Sequence, residues 1–168
     1  MPVVESRATV PVPVDVAFAV SQMTGDARLL WDPFIRRQRL LDGADRPGVG
    51  VRTATVHRLG FRMVSEYVSY RPPTSVGMKM TDGSWFFERL AGGWRFSPVG
   101  EEATLAVWKY SFACRPRWLA PLAEWVGARV LQRDIDRRIA GFARGCTDAR
   151  VVAAVTTTLQ PGEDRPPH

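Results

Sequence analysis

Three hydroxyl-bearing side chains lie in segments that have the alternating pattern of β-strands. Ser65 and Tyr67 alternate with Met63 in "FRMVSEYVSY", and Tyr110 lies in "ATLAVWKYSF". Because successive strand residues point to opposite faces, Met63, Ser65 and Tyr67 share one face of their strand. Hydroxyls in apolar surroundings can orient a bound molecule or polarise its carbonyl group.

Methionine and aromatic residues continue this face onto neighbouring strands. Two antiparallel strands would also bring the five aromatics of "GWRFSPVGEEATLAVWKYSF" onto one side. Methionine suits a surface that adapts to variable apolar shapes, which favours a ligand cavity, although the aromatics could equally form an ordinary core. The candidate lining residues on these strands are Met63, Ser65, Tyr67, Met78, Met80, Trp94, Phe96, Trp108 and Tyr110.

Other catalytic arrangements have little support. "GVGVRT" lacks the third glycine of the dinucleotide-binding fingerprint, and a predicted strand follows it instead of a helix. A Ser-His-Asp arrangement would depend on His57 alone, whose direction the pattern leaves open. Cys114 and Cys146 lack the spacing of a zinc site. We therefore expect neither a metal nor a cofactor.

The bulk composition is that of one globular domain. The chain has 168 residues, 45% of them hydrophobic and 24% charged. No apolar run approaches the roughly 20 residues of a membrane-spanning helix, and the N-terminus does not resemble a signal peptide. These features predict a cytoplasmic protein without a membrane span.

The net charge of +6 raises the question of an anionic partner. All but Lys79 and Lys109 of the 23 basic residues are Arg, a skew that coding bias can produce. On the predicted long helix they alternate with acids, as on a solvated face where Asp134 pairs with Arg138 at i,i+4. We expect no nucleic-acid partner, and a basic surface module for anionic partners is the least favoured alternative.

Turn residues divide the chain into short elements. A strand over residues 3–12 precedes short helices over 14–22 and 25–34, the second of which must end before Asp32-Pro33. Six strands are predicted at 34–42, 49–58, 61–70, 74–81, 84–97 and 103–113. Gly92-Gly93 within the fifth of these suggests a bulge or bend, and hence a strongly curved sheet.

The pattern changes to a helical period after Pro116. A long amphipathic helix is predicted over residues 118–146, with Trp125 on its apolar stripe and facing the cavity. Residues 151–159 read as an edge strand and 160–168 as disordered. We therefore predict a single domain over residues 1–150 and a partly disordered C-terminal extension over 151–168.

The order of elements and several motifs resemble the helix-grip superfamily, which includes START domains, Bet v 1-type allergens and bacterial polyketide cyclase/dehydrase (SRPBCC) proteins. The motifs are "VPVPVDVAFAVSQ", "LLWDPF", "GVGVRT", "MVSEYVSYRPPTSVGMKM" and "WRFSPVGEEATLAVWKYSF", which lie within residues 3–146. The resemblance implies an α+β helix-grip fold, in which a curved seven-stranded antiparallel sheet wraps around the C-terminal helix. It also implies a cavity between them that opens near the second short helix, with Trp31 and Phe34 at its mouth.

Elementary dimensions lead to a compatible expectation. A helix is about 10–12 Å across, whereas seven strands span about 30 Å, so one helix cannot cover the concave face. Large side chains or a ligand must fill the remainder.

We therefore expect this chain to bind a small hydrophobic or aromatic molecule, lipid-like or polyketide-like, as a monomer or a homodimer. The alternative is a cofactor-independent polyketide-type aromatase/cyclase or dehydratase, for which the resemblance makes Tyr67 a weak catalytic candidate. Val76, Met78 and Met80 occupy positions where an Arg would assist that chemistry, and this speaks against it.

Overall fold

The computed structural model describes residues 1–115 and 120–159, which form one sheet and four helices. The strands are β1 (Val3–Val10), β2 (Ile35–Leu40), β3 (Arg52–His57), β4 (Arg62–Arg71), β5 (Ser75–Asp82), β6 (Phe87–Pro98) and β7 (Thr104–Cys114). The helices are α1 (Val14–Ser21), α2 (Gly25–Leu29), α3 (Ala120–Gly145) and α4 (Ala149–Leu159).

The seven strands form one antiparallel sheet in the order β1-β7-β6-β5-β4-β3-β2. Hairpins connect β2 through β7 in sequence, while α1 and α2 carry the chain from β1 at one edge to β2 at the other. The long helix α3 packs on β1 and β7, and its Phe142 contacts Trp94 of β6. The predicted helix-grip architecture is therefore confirmed.

Residues 151–159 lie in helix α4, so the predicted edge strand is wrong. Val151 and Val155 are buried in the core, one turn apart, and α4 packs on α1. The Asp148 carboxylate accepts a hydrogen bond from the Arg150 amide and satisfies a free N–H of the first turn. Tertiary burial at i,i+4 thus overrides the β-preference of the valines and threonines. The predicted disorder of residues 160–168 lies outside the described residues.

The pairing of β6 runs without a register shift through Gly92 and Gly93, so the predicted bulge is not there. The register shift lies instead between Phe87 and Arg89. A side chain on Gly92 would collide with the ring of Tyr110 on β7. Gly92 therefore leaves room for that aromatic side chain to lie across the sheet.

The first two turns of α3 bury a different face from the predicted apolar stripe, whereas Leu131, Ile135, Ile139 and Phe142 farther along that stripe are buried as predicted. Trp125 is 55% exposed, and the Arg129 guanidinium lies over its ring at 4.0 Å. Gly127 is buried instead, with Phe112 next to it. The first turns of α3 therefore pack against the sheet through the small residue Gly127. A prediction from hydrophobicity alone buries the large Trp125 instead.

Among the residues that the structure describes, no helix has both the length and the apolarity needed to cross a membrane.

A second close approach joins α3 to the segment after α2. A β-carbon on Gly141 would collide with the Trp31 carbonyl oxygen and would lie 2.9 Å from Pro33. A β-carbon on Gly145 would lie 2.7 Å from that of Trp31. The missing side chains let the 31–33 segment lie directly on the helix.

Replacing Gly141 with Ala is expected to lower the free energy of unfolding by about 1–3 kcal/mol, because the added methyl group meets backbone atoms. In an unobstructed helix the same change would raise stability by about 1 kcal/mol, so the sign is diagnostic. Urea denaturation followed by circular dichroism measures it. Arg137→Ala, at an exposed position nearby on α3, is the control and should change stability by less than about 0.5 kcal/mol. Unchanged or increased stability of the Gly141 variant would contradict the close packing.

Candidate functional site: an internal cavity with a buried Arg–Asp–Arg network

A cavity with two lobes lies between the sheet and α3. The outer lobe has a volume of about 420 Å³ and is lined by residues that include His57, Leu59, Phe61, Trp85, Phe87 and Val130. The inner lobe is smaller, about 90 Å³, and its lining includes Thr53, Ser65, Tyr67, Met78, Trp94 and Trp108. Both lobes are lined by Phe34, Met63, Met80, Leu90, Tyr110 and Arg138, so they adjoin.

Sheet register explains the wall of the inner lobe. Tyr67 pairs with Met78 across β4 and β5, and Trp94 pairs with Trp108 across β6 and β7. The two tryptophan rings stack with their centroids 4.1 Å apart. Paired residues project on the same face of an antiparallel sheet, so each pair presents a continuous surface to the cavity.

The outer lobe is predominantly apolar and reaches the protein surface. Phe61 is 63% exposed and Trp85 is 75% exposed, and both line the lobe. His57 lies against Phe34 with ring centroids 4.0 Å apart, and its Nδ1 accepts a hydrogen bond from the Leu59 amide. Exposed aromatic side chains therefore surround the entrance.

Asp32 forms a buried ion network with two arginines beside the cavity. Its Oδ2 accepts hydrogen bonds from Arg28 Nε at 3.0 Å and Arg138 Nη2 at 2.7 Å. Its Oδ1 accepts from Arg138 Nε at 3.2 Å and from the Phe34 amide at 3.1 Å. All three charged side chains are buried. Two guanidiniums against one carboxylate leave this network with a net charge of +1.

The local sequence explains the network. Arg28 and Asp32 are separated by four residues, which brings them together as the chain leaves α2. The Arg28 guanidinium also donates to the Ser21 carbonyl and lies 4.1 Å from the Trp31 ring. Arg138 comes from α3, one turn before Phe142.

The network depresses the pKa of Asp32. Burial alone would raise this pKa, but the charges of Arg138 and Arg28 and the hydrogen bonds oppose it and bring the pKa to about 2. The carboxylate is therefore ionised at neutral pH and balances only one of its two partners.

Two tyrosine hydroxyls lie next to these cations. Arg138 Nη1 donates a hydrogen bond to the Tyr110 hydroxyl at 2.5 Å, which leaves the Tyr110 proton available for a ligand. Burial raises the pKa of Tyr110, and it raises the pKa of Tyr67 to about 12. Both hydroxyls are protonated at neutral pH and act as hydrogen-bond donors.

Two polar atoms lining the inner lobe have no hydrogen-bond partner within the described part of the chain. They are Thr53 Oγ1 and Gln38 Oε1. Thr53 is only 2% exposed. Buried polar groups are nearly always paired, so these two atoms are available to a molecule bound in the inner lobe.

Most of the predicted lining residues come together at this cavity. Phe34 and eight of the nine strand residues line it, and the exception is Phe96. Phe96 packs in the core with Phe18 and Phe142. Trp125 lies on the outer surface of α3, as described above, so its placement in the cavity is wrong.

Trp31 also lies away from the two lobes. Its ring packs against Phe142, and its Nε1 donates to the Val20 carbonyl at 3.2 Å. The Trp31 side chain packs directly against Gly145, so it is buried instead of lying at the mouth of the cavity.

The prediction for Arg138 is also wrong. It is 7% exposed and bonds to Asp32 and Tyr110, whereas the sequence pattern placed it on a solvated face with Asp134. The acidic residues near Arg138 in the sequence suggested a solvated helix face. Its actual partner, Asp32, is too distant in sequence for a local pattern to reveal it. The i,i+4 spacing of Arg28 and Asp32 was the one available signal for the network.

No cluster of three or more His, Cys, Asp or Glu side chains suited to a metal ion lies within residues 1–115 and 120–159.

The depressed pKa of Asp32 predicts an acid-side loss of stability. A group with a lowered folded-state pKa contributes stability above its unfolded pKa near 4 and loses it as the pH falls toward about 2. We expect a loss on the order of 2 kcal/mol across this window. Asp32→Asn should cost about 3–5 kcal/mol at pH 7, because it leaves two buried guanidiniums uncompensated.

Urea denaturation between pH 2 and pH 7 tests both expectations. Asp148→Asn is the control, because hydrogen bonds with the exposed Arg150 lower the pKa of Asp148, and Asp148 makes no contact with the buried network. This variant should retain the Asp32-dependent loss. Equal stability of Asp32→Asn and the unaltered protein at pH 7 would show that the network contributes nothing.

Solved structures confirm the fold. A protein from Thermus thermophilus superposes with a TM-score of 0.69 at 18% identity, covering 91% of this chain and 99% of its own. A START superfamily protein from Mycobacterium smegmatis has a TM-score of 0.65 at 12% identity, with 90% and 98% covered. Zhui aromatase/cyclase from Streptomyces sp. R1128 has a TM-score of 0.67 at 15% identity, with 95% and 96% covered.

No curated protein matches the chain in sequence. A family model described as polyketide cyclase / dehydrase and lipid transport matches residues 1–146, which is most of the chain and includes every element that contributes to the cavity. The chain therefore belongs to the polyketide cyclase / dehydrase and lipid transport family.

Proposed function

We propose that this protein binds a small hydrophobic or aromatic molecule in the two-lobed cavity. The observation that carries the proposal is the outer lobe of about 420 Å³, whose lining is mostly apolar and aromatic. A cavity of this size lies within the range of small-molecule sites. Family membership and the similarity to an aromatase/cyclase support a ligand of this class.

The side chains assigned to ligand contact are the predicted residues that line the cavity. Met63 and Met80 lie where the two lobes adjoin, and flexible thioethers there can adapt to the outline of a ligand. Tyr67 and Ser65 add hydroxyls at the inner end. The assigned set is Phe34, Met63, Ser65, Tyr67, Met78, Met80, Trp94, Trp108 and Tyr110.

The tyrosines and the histidine of the cavity favour binding over proton abstraction. Tyr67 and Tyr110 have raised pKa values and hold their protons at neutral pH. Burial lowers the pKa of His57, so its ring is neutral, and its Nδ1 lone pair is already used by the Leu59 amide. The remaining ring nitrogen then carries the proton and donates. These groups polarise and orient, but none is placed as a strong base.

A polyketide-type cyclase or dehydratase is the second candidate function. The hydrogen bond from Arg138 to the Tyr110 hydroxyl favours it, because this pair could stabilise negative charge that develops on a carbonyl oxygen. Arg138 supplies from α3 the guanidinium that the strand positions lack. In this alternative Tyr67 orients the substrate or returns a proton to it.

Met63→Trp should abolish ligand uptake while leaving the fold intact, because an indole at the junction of the two lobes would fill the space a ligand needs. Nile red fluorescence, which rises in apolar surroundings, measures uptake by the purified protein, and we expect at least a tenfold loss. Val68→Trp is the matched control, since Val68 is exposed on the same strand and lines neither lobe. Equal uptake by the Met63 variant and the unaltered protein would contradict the proposed cavity site.

For the cyclase alternative, Tyr67→Phe should slow cyclisation of a poly-β-ketone substrate by about 10²-fold, the lower end of typical proton-transfer contributions. Product formation followed by absorbance measures the rate. Tyr70→Phe is the control, because Tyr70 contacts the Tyr67 ring but lies outside both cavity linings. No turnover by the unaltered protein, or equal slowing by both substitutions, would eliminate this role for Tyr67.

A further inference from the structure

We infer that the ligand carries an anionic oxygen group, such as a carboxylate, which enters the inner lobe while its apolar body fills the outer lobe. The inference rests on the proposed function and assigns the chemical class of the ligand and its orientation in the cavity. It depends on three independent features of the inner lobe: its charge, its unpaired polar atoms and its size.

The charge of the inner lobe is positive. Arg28 and Arg138 both line it, and their shared counterion Asp32 compensates only one of them. No acidic side chain lines this lobe among the described residues. Lys79 also lines it but is paired with Glu66 at 3.4 Å. An uncompensated positive charge in a buried site is favourable only when an anion approaches it, because burial removes the water that would otherwise solvate it.

The hydrogen-bonding groups of the inner lobe match an acceptor-rich ligand. The Tyr110 proton is free to donate, because its oxygen already accepts from Arg138. The Thr53 hydroxyl is buried without a partner and can also donate. Gln38 can turn its amide so that its nitrogen faces the ligand, since its oxygen has no partner to lose. A carboxylate offers two oxygens to such donors and has no hydrogen that needs an acceptor.

The difference in volume between the two lobes sets the orientation of the bound ligand. The inner lobe of about 90 Å³ accommodates a compact head group, whereas the outer lobe of about 420 Å³ accommodates an aromatic or aliphatic body. The outer lobe is lined by Arg62, which is exposed to solvent, and by Asp134, whose negative charge offsets the attraction of an anion to that lobe.

A matched pair of probes tests the inference on the unaltered protein. Naphthalene carboxylate and naphthalene carboxamide, substituted at the same ring position, have nearly the same shape but differ by one negative charge at neutral pH. Titration calorimetry at pH 7 should give at least tenfold tighter binding of the carboxylate, the size of one charge-assisted hydrogen bond. Equal binding, or tighter binding of the amide, would overturn the anionic head group while leaving the cavity function intact.

Failure of the proposed function would look different, since neither naphthalene probe nor Nile red would then bind, and the inference would fail with it.

Substitution of Arg28, one of the two buried arginines, tests where the carboxylate binds. Arg28→Gln removes one positive charge and leaves Asp32 paired with Arg138, so it should reduce carboxylate affinity at least tenfold and carboxamide affinity less than threefold. Arg95→Gln is the control, because it removes an exposed charge from β6 at a position that lines neither lobe. It should change either affinity less than threefold. A carboxylate preference that persists unchanged in Arg28→Gln would place the anion elsewhere. The comparison of the two probes on the unaltered protein remains decisive even if the Arg28 variant does not fold.

Discussion

The interaction between Asp32 and its two arginines connects the helices that border the cavity and sets the charge beside it. Arg28 belongs to α2, Asp32 follows it, and Arg138 belongs to α3. One carboxylate therefore connects the early helices to the long helix α3. The connection also fixes Phe34, whose amide donates to Asp32 and whose ring lies 4.4 Å from the Arg138 guanidinium. A buried charge network of this kind contributes little net stability, but breaking it is costly, and it therefore selects one arrangement of the helices.

Close backbone contact and polar pairing support each other here. Gly141 and Gly145 allow the 31–33 segment to lie on α3, and only that contact places Asp32 within reach of Arg138. On the sheet, Gly92 has the corresponding role for Tyr110, whose hydroxyl then receives the remaining Arg138 hydrogen bond. The same few contacts that pack the core thus orient the donors of the inner lobe.

The fold could be predicted from the sequence because strand alternation, turn residues and element order are local signals that agree with one another. The lining residues on the sheet followed from alternation for the same reason, as Tyr67 and Met78 illustrate. Arg138 could not be found in this way, since its counterion is 106 residues away and its helical neighbours suggest a solvated face. Trp125 and the α4 segment show the opposite error. The hydrophobicity of Trp125 predicted burial, and the β-propensity of residues 151–159 predicted a strand, but tertiary packing leaves Trp125 exposed and forms a helix.

The two ends of the cavity are under different physical constraints. The inner end is built from residues that also hold the helices together, so in the proposed binding mode a substitution at Asp32 or Arg138 would change ligand recognition and stability at once. The outer end is formed partly by Leu59, Phe61 and Trp85, whose exposed side chains contribute little to the core. Surface positions of this kind tolerate substitution far better than buried ones. In the proposed binding mode, selectivity for the body of a ligand could therefore change at the entrance without disturbing the charged residues that receive its head group.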